Sequence, residues 1–206
     1  MSTHQMVKTR INRIKRGIPF AISGFYALGS RTSVQKSLSR LAKEGIIARV
    51  SKGFYSRPKP LESIPSIKVT ANAEQVARSW AKENKHKLVS QGLEAAYQLG
   101  FQTQAPMKTI YWSNGPSRTF KVGNQEVIIR HAASSKLRWE NSPLGLLFRA
   151  LLSIKPEFIG LSELLNGFKR ASIPKNEVQS VIKKLLKQPQ LRSWQPTLHQ
   201  LELQAA

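Results

Sequence analysis

Between residues 31 and 57 lie side chains of the kind that hold phosphate and read base edges. Arg31, Thr32, Ser33, Lys36, Ser39, Arg40 and Lys43 fall in one short run, and Arg49, Lys52 and Arg57 follow. Arginine and lysine can donate to guanine O6 and N7 or neutralise a backbone phosphate, and small hydroxyl side chains allow close approach to a groove. A second group, Ser117, Arg118 and Lys121 with Glu126 beyond, follows Gly115-Pro116. It lacks the G-x-x-x-x-G-K-[ST] spacing and does not precede a helix, so it reads as a turn carrying exposed side chains. His4, His86, His131 and His199 are scattered without H-x-H or H-E-x-x-H spacing, and the chain has no cysteine. Neither a metal site nor a cofactor is expected, and no catalytic constellation stands out. All 11 acids are glutamate. Magnesium-dependent phosphoryl chemistry commonly relies on aspartate, so this weighs against an enzyme.

The elements that must position the first group can be read from periodicity. Met6, Val7, Ile11 and Ile14 recur at helical spacing until Gly17 and Pro19 stop the helix. Phe20 to Leu28 reads as a short second helix, capped by Ser23 and ended by Gly29. Ser30 can cap a third helix from Arg31 to about Glu44, with Val34, Leu38 and Leu41 as its buried stripe and Gly45 as its stop. Thr32, Lys36, Ser39 and Lys43 then face away, with Ser33 and Arg40 to one side. Ile46–Val50 and Phe54–Arg57 read as two strands around a turn at Ser51-Lys52-Gly53, which places Arg49, Lys52 and Arg57 on a basic wing. Three helices and a basic hairpin give a winged helix-turn-helix, whose third helix enters the major groove of duplex DNA.

Charge supports that reading. The 206 residues carry 33 Lys or Arg, for a net charge of +22. Residues 1–60 hold 13 of these cations and one acid, Glu44, so more than half of the net charge sits in less than a third of the chain. Such a field attracts polyanions and displaces their counterions. The Arg57-Pro58-Lys59-Pro60 run and Pro65 mark a linker, dividing the chain into domains of 1–60 and 61–206. No apolar run is long enough to span a bilayer and no cysteine is present, so a cytoplasmic protein without a membrane partner is expected.

Beyond the linker, helices are expected over 73–84 and 92–100, with strands at 87–89 and 109–112. A hairpin of Arg118–Val122 and Glu126–His131 turns at Gly123-Asn124. Helices over 142–154, 160–168 and 174–188 end the chain. The last carries a stripe of Val178, Val181, Ile182, Leu185 and Leu186, with Lys183, Lys184 and Lys187 outward. These helices either only close the core of the second domain or also offer the lysines as a second DNA contact or a docking face. The four tryptophans, Trp80, Trp112, Trp139 and Trp194, read as core rather than as a stacking platform. The fold class is α+β, an N-terminal winged helix followed by a larger mixed α/β domain with a helical end from about 142.

Two stretches resemble a known family. Gly17-Ile18-Pro19-Phe20, Leu38 through Val50, and Lys52-Gly53-Phe54-Tyr55 are similar to the winged-helix head of AbiE-type (AbiEi) antitoxins. The runs from Gly92 to Pro106 and from Ile110 to Gly123 resemble the C-terminal domain of those antitoxins. The resemblance covers about residues 6–140. It implies an antitoxin of a phage-defence toxin–antitoxin system, whose head binds inverted repeats in operator DNA and represses its own operon as a transcriptional repressor. The second domain would neutralise a nucleotidyltransferase-like toxin, without need of a stable complex, and Ser117, Arg118 and Lys121 are candidates for its surface. Two alternatives stay open: a transcriptional regulator with a ligand-sensing second domain, and an enzyme that modifies the toxin, with Glu126, Arg118 or Lys121 taking part.

Overall fold

The computed structural model describes residues 1–204, a mixed α+β fold. Two compact units emerge. One comprises Met1–His86 with Arg118–Val127, the other Lys87–Ser117 with Ile128–Ala206. The boundary expected at residue 60 falls inside the first unit. Lys59–Pro60 (β4) pairs with Lys68–Val69 (β5) as a short ladder, and the chain between them is exposed.

The head of the first unit begins with helix α1, Thr3–Arg13, capped by Ser2, which buries Val7 and Ile11. Strand β1, Pro19–Ala21, follows, and then a 3₁₀ turn over Ile22–Leu28. The helix expected from Phe20 thus starts two residues later, and as a 3₁₀ helix. Proline fixes the start of the segment in extended backbone that pairs with a neighbour, so the coil begins only at Ile22. Ser23 caps nothing; its hydroxyl donates to Glu83 Oε1 at 2.5 Å. Helix α2, Arg31–Lys43, comes next, then strands β2 (Ala48–Ser51) and β3 (Phe54–Ser56). The antiparallel order is β1-β3-β2. One core of Val7, Ile11, Phe25, Val34, Leu38, Leu41, Ile47 and Tyr55 joins these pieces.

Helix α3, Ala73–Glu83, has a full capping box between Asn72 and Gln75 and belongs to the same unit. So does the turn of the hairpin formed by β8 (Arg118–Val122) and β9 (Gln125–His131), where Gly123 takes φ +58°. Buried Trp80 packs on Phe120, ring centroids 5.7 Å apart. A long side chain on α3 and an aromatic far along the chain thus extend the unit well past the winged head.

In the second unit, β6 (Leu88–Ser90) runs antiparallel to β7 (Thr109–Ser113), with Val89 opposite Trp112. Helices α4 (Gly92–Leu99), α5 (Pro143–Leu151), α6 (Leu161–Arg170), α7 (Val178–Leu186) and α8 (Gln195–Gln204) share one large apolar core. The stripe of α7 buries Val181, Ile182 and Leu185 and leaves Lys183, Lys184 and Lys187 exposed. Helix α8, absent from the sequence-based expectations, buries Leu198 and Leu201. Trp194 is buried, and its Nε1 donates to the Leu151 carbonyl at 2.8 Å. Trp112 and Trp139 are half-buried against apolar clusters. Among the described residues no helix is long and apolar enough to cross a membrane.

Candidate nucleic-acid interface

The geometry of α2 follows from its sequence. Ser30 Oγ accepts from the Ser33 N–H at 3.2 Å and donates to Ser33 Oγ at 2.9 Å, which fixes where the helix starts. Val34, Ser37, Leu38 and Leu41 are buried on one side, and Ser37 satisfies its hydroxyl on the Ser33 carbonyl at 2.8 Å. The C-terminal end turns at Gly45, φ +70°, a backbone conformation that glycine adopts without steric cost.

The opposite side exposes Thr32, Lys36, Ser39, Arg40 and Lys43, as the helical spacing requires. Arg31 is exposed at the first turn, its guanidinium 5.3 Å from the centre of the Tyr26 ring. Ser33 is half-buried with its hydroxyl engaged by Ser30, so it serves the cap first. Arg40 Nε lies 3.1 Å from Glu44 Oε1 while its side chain stays 71% exposed. An exposed i, i+4 pair is worth about 0.3–0.5 kcal/mol, little against a charge-assisted bond to phosphate. Gln35, exposed on the flank across from Arg40, was missed by reasoning from charge. A side-chain amide at helical spacing from Thr32 and Ser39 is the signal, since such amides pair with adenine N6 and N7.

The wing is short. β2 and β3 pair with a register break between Arg49 and Ser51, so Val50 is the extra residue of a bulge and stays buried. Lys52 and Gly53 form the tip, with Gly53 at φ +78°, and Arg49 and Lys52 are exposed. Arg57 is different. Its Nη1 donates to the carbonyls of Asn12 and Ile14, both at 2.8 Å, and its own carbonyl accepts from Gly17 N at 2.8 Å. It clamps the chain leaving the wing to the end of α1, so this guanidinium is already engaged by backbone carbonyls. Arg16 acts alike, donating to the Pro58 carbonyl at 3.3 Å.

The second sequence-predicted group does not form one surface of free side chains. In the first unit, Arg118 is half-buried, its guanidinium 5.9 Å from the Trp80 ring centre and 5.2 Å from that of Phe120. Lys121 and Glu126 on the same hairpin are exposed. In the second unit, Ser117 Oγ accepts from the His131 N–H at 2.9 Å, and His131 Nδ1 lies 3.1 Å from the Gly115 carbonyl. Ser117 thus closes the turn that its sequence suggested. Among the described residues no cluster of three histidine or glutamate side chains is placed to hold a metal.

No curated protein matches the chain. Among solved structures, the crystal structure of the RV2827C protein from Mycobacterium tuberculosis aligns over 100% of this chain and 82% of its own, with 14% identity and a TM-score of 0.42. The model of DUF6088, a family of unknown function, matches residues 6–166, most of the chain. That span takes in the winged head together with the elements through the start of α6, and the protein belongs to this DUF6088 family.

Proposed function

We propose that the protein binds duplex DNA, with α2 in the major groove and the wing against the backbone. One observation carries this: α2 buries its apolar side completely and presents Thr32, Gln35, Lys36, Ser39, Arg40 and Lys43 together to solvent. A helix so divided, within a three-stranded winged head, suits groove docking and phosphate neutralisation. The test is anisotropy titration of duplex taken from upstream of its own gene. If Arg40 touches a base, Arg40→Ala weakens binding by about 1–3 kcal/mol and relaxes one operator position. Lys36→Ala weakens all sequences alike and lowers the salt slope by about one. Unchanged affinity in both variants overturns the assignment.

The wider role we propose is that of a cytoplasmic antitoxin that represses its own operon at inverted repeats and neutralises a nucleotidyltransferase-like toxin. It draws support from the AbiEi-like motifs, and the head provides the DNA-binding half of it. Co-expression with the neighbouring gene tests the neutralising half separately, because a plain regulator rescues no toxicity. No catalysis is assigned: Arg118 rests on aromatic rings and Ser117 on a turn, a poor start for either as a reacting group.

A further inference from the structure

A cavity of about 220 Å³ in the second unit is lined by Ser90, Gln98, Asn141, Ser142, Arg149 and Arg170, among others. Two arginines and no carboxylate line it. Arg149 is 1% exposed, an unusual state for a cation without an acidic partner. Its Nε donates to the Ser90 carbonyl at 3.0 Å and its Nη1 to the Glu140 carbonyl at 2.6 Å. Those bonds align the guanidinium but leave its charge uncompensated. The Glu140 carboxylate is occupied elsewhere, 2.8 Å from Lys87 Nζ. Nη2 donates to no protein group among the described residues, and none of them has a fully buried polar side-chain atom without a partner. Nη2 therefore keeps the slight solvent contact that Arg149 has, and Arg149 lines the cavity.

Arg170 is positioned from the other direction. Gly100, at φ +75°, ends α4, and a side chain there would overlap the Arg170 guanidinium. The glycine leaves room for that group in an adjoining groove of Tyr97, Gln102 and Thr103, which shares Gln98 and Arg170 with the cavity. Ser142 Oγ accepts from Gly145 N and keeps its own hydrogen to donate. Gln98 is held by Glu94 at 3.0 Å. Burial lowers the Arg149 pKa to about 10, so the group stays charged at neutral pH and an adjacent anion would offset its desolvation.

We infer that this cavity binds a small phosphate-bearing ligand, its phosphate between Arg149 and Arg170. Planar guanidinium groups match phosphate oxygens in pairs, and the volume exceeds the roughly 30 Å³ share of one water several times over. The inference is independent of the DNA reading, since every lining residue belongs to the second unit.

Calorimetric titration of the full chain with inorganic phosphate, at ionic strength held constant with chloride, tests it. Saturable one-site binding is expected, weakened roughly tenfold by Arg170→Ala. Arg170 is exposed and donates no hydrogen bond to protein among the described residues, so that variant keeps the fold, which circular dichroism checks. Phosphate affinity should be untouched by Lys36→Ala/Arg40→Ala. Absence of saturable binding, equal binding in Arg170→Ala, or loss of binding in the α2 double variant each overturns the assignment. So does displacement of phosphate by an unrelated duplex, which would place the anion on the DNA-binding surface instead.

Discussion

Arginines of one chemical type do three different jobs in this molecule, and only their surroundings distinguish them. Arg40 is exposed with one weak partner, Arg57 gives its guanidinium to two carbonyls, and Arg149 is buried without a carboxylate. The second case yields a clean prediction. Arg57→Ala should cost about 1.5–3 kcal/mol of stability, the range for hydrogen bonds that involve a charged group. The loss should appear in urea denaturation, while duplex affinity at a temperature where the variant is folded changes less than twofold. A larger drop in DNA binding with stability unchanged would place Arg57 at the interface. Sequence reasoning placed Arg57 on the wing because charge and position are visible in one dimension. Its partners, Asn12 and Ile14, lie more than 40 residues away in the chain.

At the scale of elements, α2 was legible almost to the residue. Its cap at Ser30, stripe of Val34, Leu38 and Leu41, and stop at Gly45 are local signals, and local hydrogen bonds execute them. Ser30→Ala should remove about 1 kcal/mol of stability by freeing the Ser33 N–H. Because α2 carries the exposed basic side chains, amide exchange in its first turn should accelerate as duplex affinity falls. Protection that stays unchanged would mean that the cap is dispensable. The short helix expected over Phe20–Leu28 is present from Ile22, as a 3₁₀ helix, while its first two residues are extended. The apolar content of those residues suits either state, and pairing with β3, set by residues 54–56, selects extended backbone for Phe20 and Ala21. Helix α8 was missed for a related reason. Its exposed side carries few charges, so the buried Leu198 and Leu201 do not stand out as a stripe.

For the whole molecule, the salt dependence of DNA binding measures how much charge engages. If the exposed cations of α2 and the wing, Lys36, Arg40, Lys43, Arg49 and Lys52, each neutralise one phosphate, the log–log slope should be about −4.5 per bound chain. A slope near zero would remove the electrostatic basis of the proposal. A much steeper one would bring in cations beyond the head. The amino-acid sequence by itself determined the basic, cysteine-free and aspartate-free character of the protein. It also determined the order of the winged head and the two-faced helix within it. Those features rest on composition and on contacts between near neighbours, which periodicity reports. Tertiary structure alone decided that α3 and the 118–127 hairpin belong with the head and that Arg57 is a clamp. It alone gathered Arg149 and Arg170 around one cavity. Each of those outcomes depends on groups brought together from distant parts of the chain. Burial and hydrogen-bond partners, which no local pattern encodes, set what such a group can do.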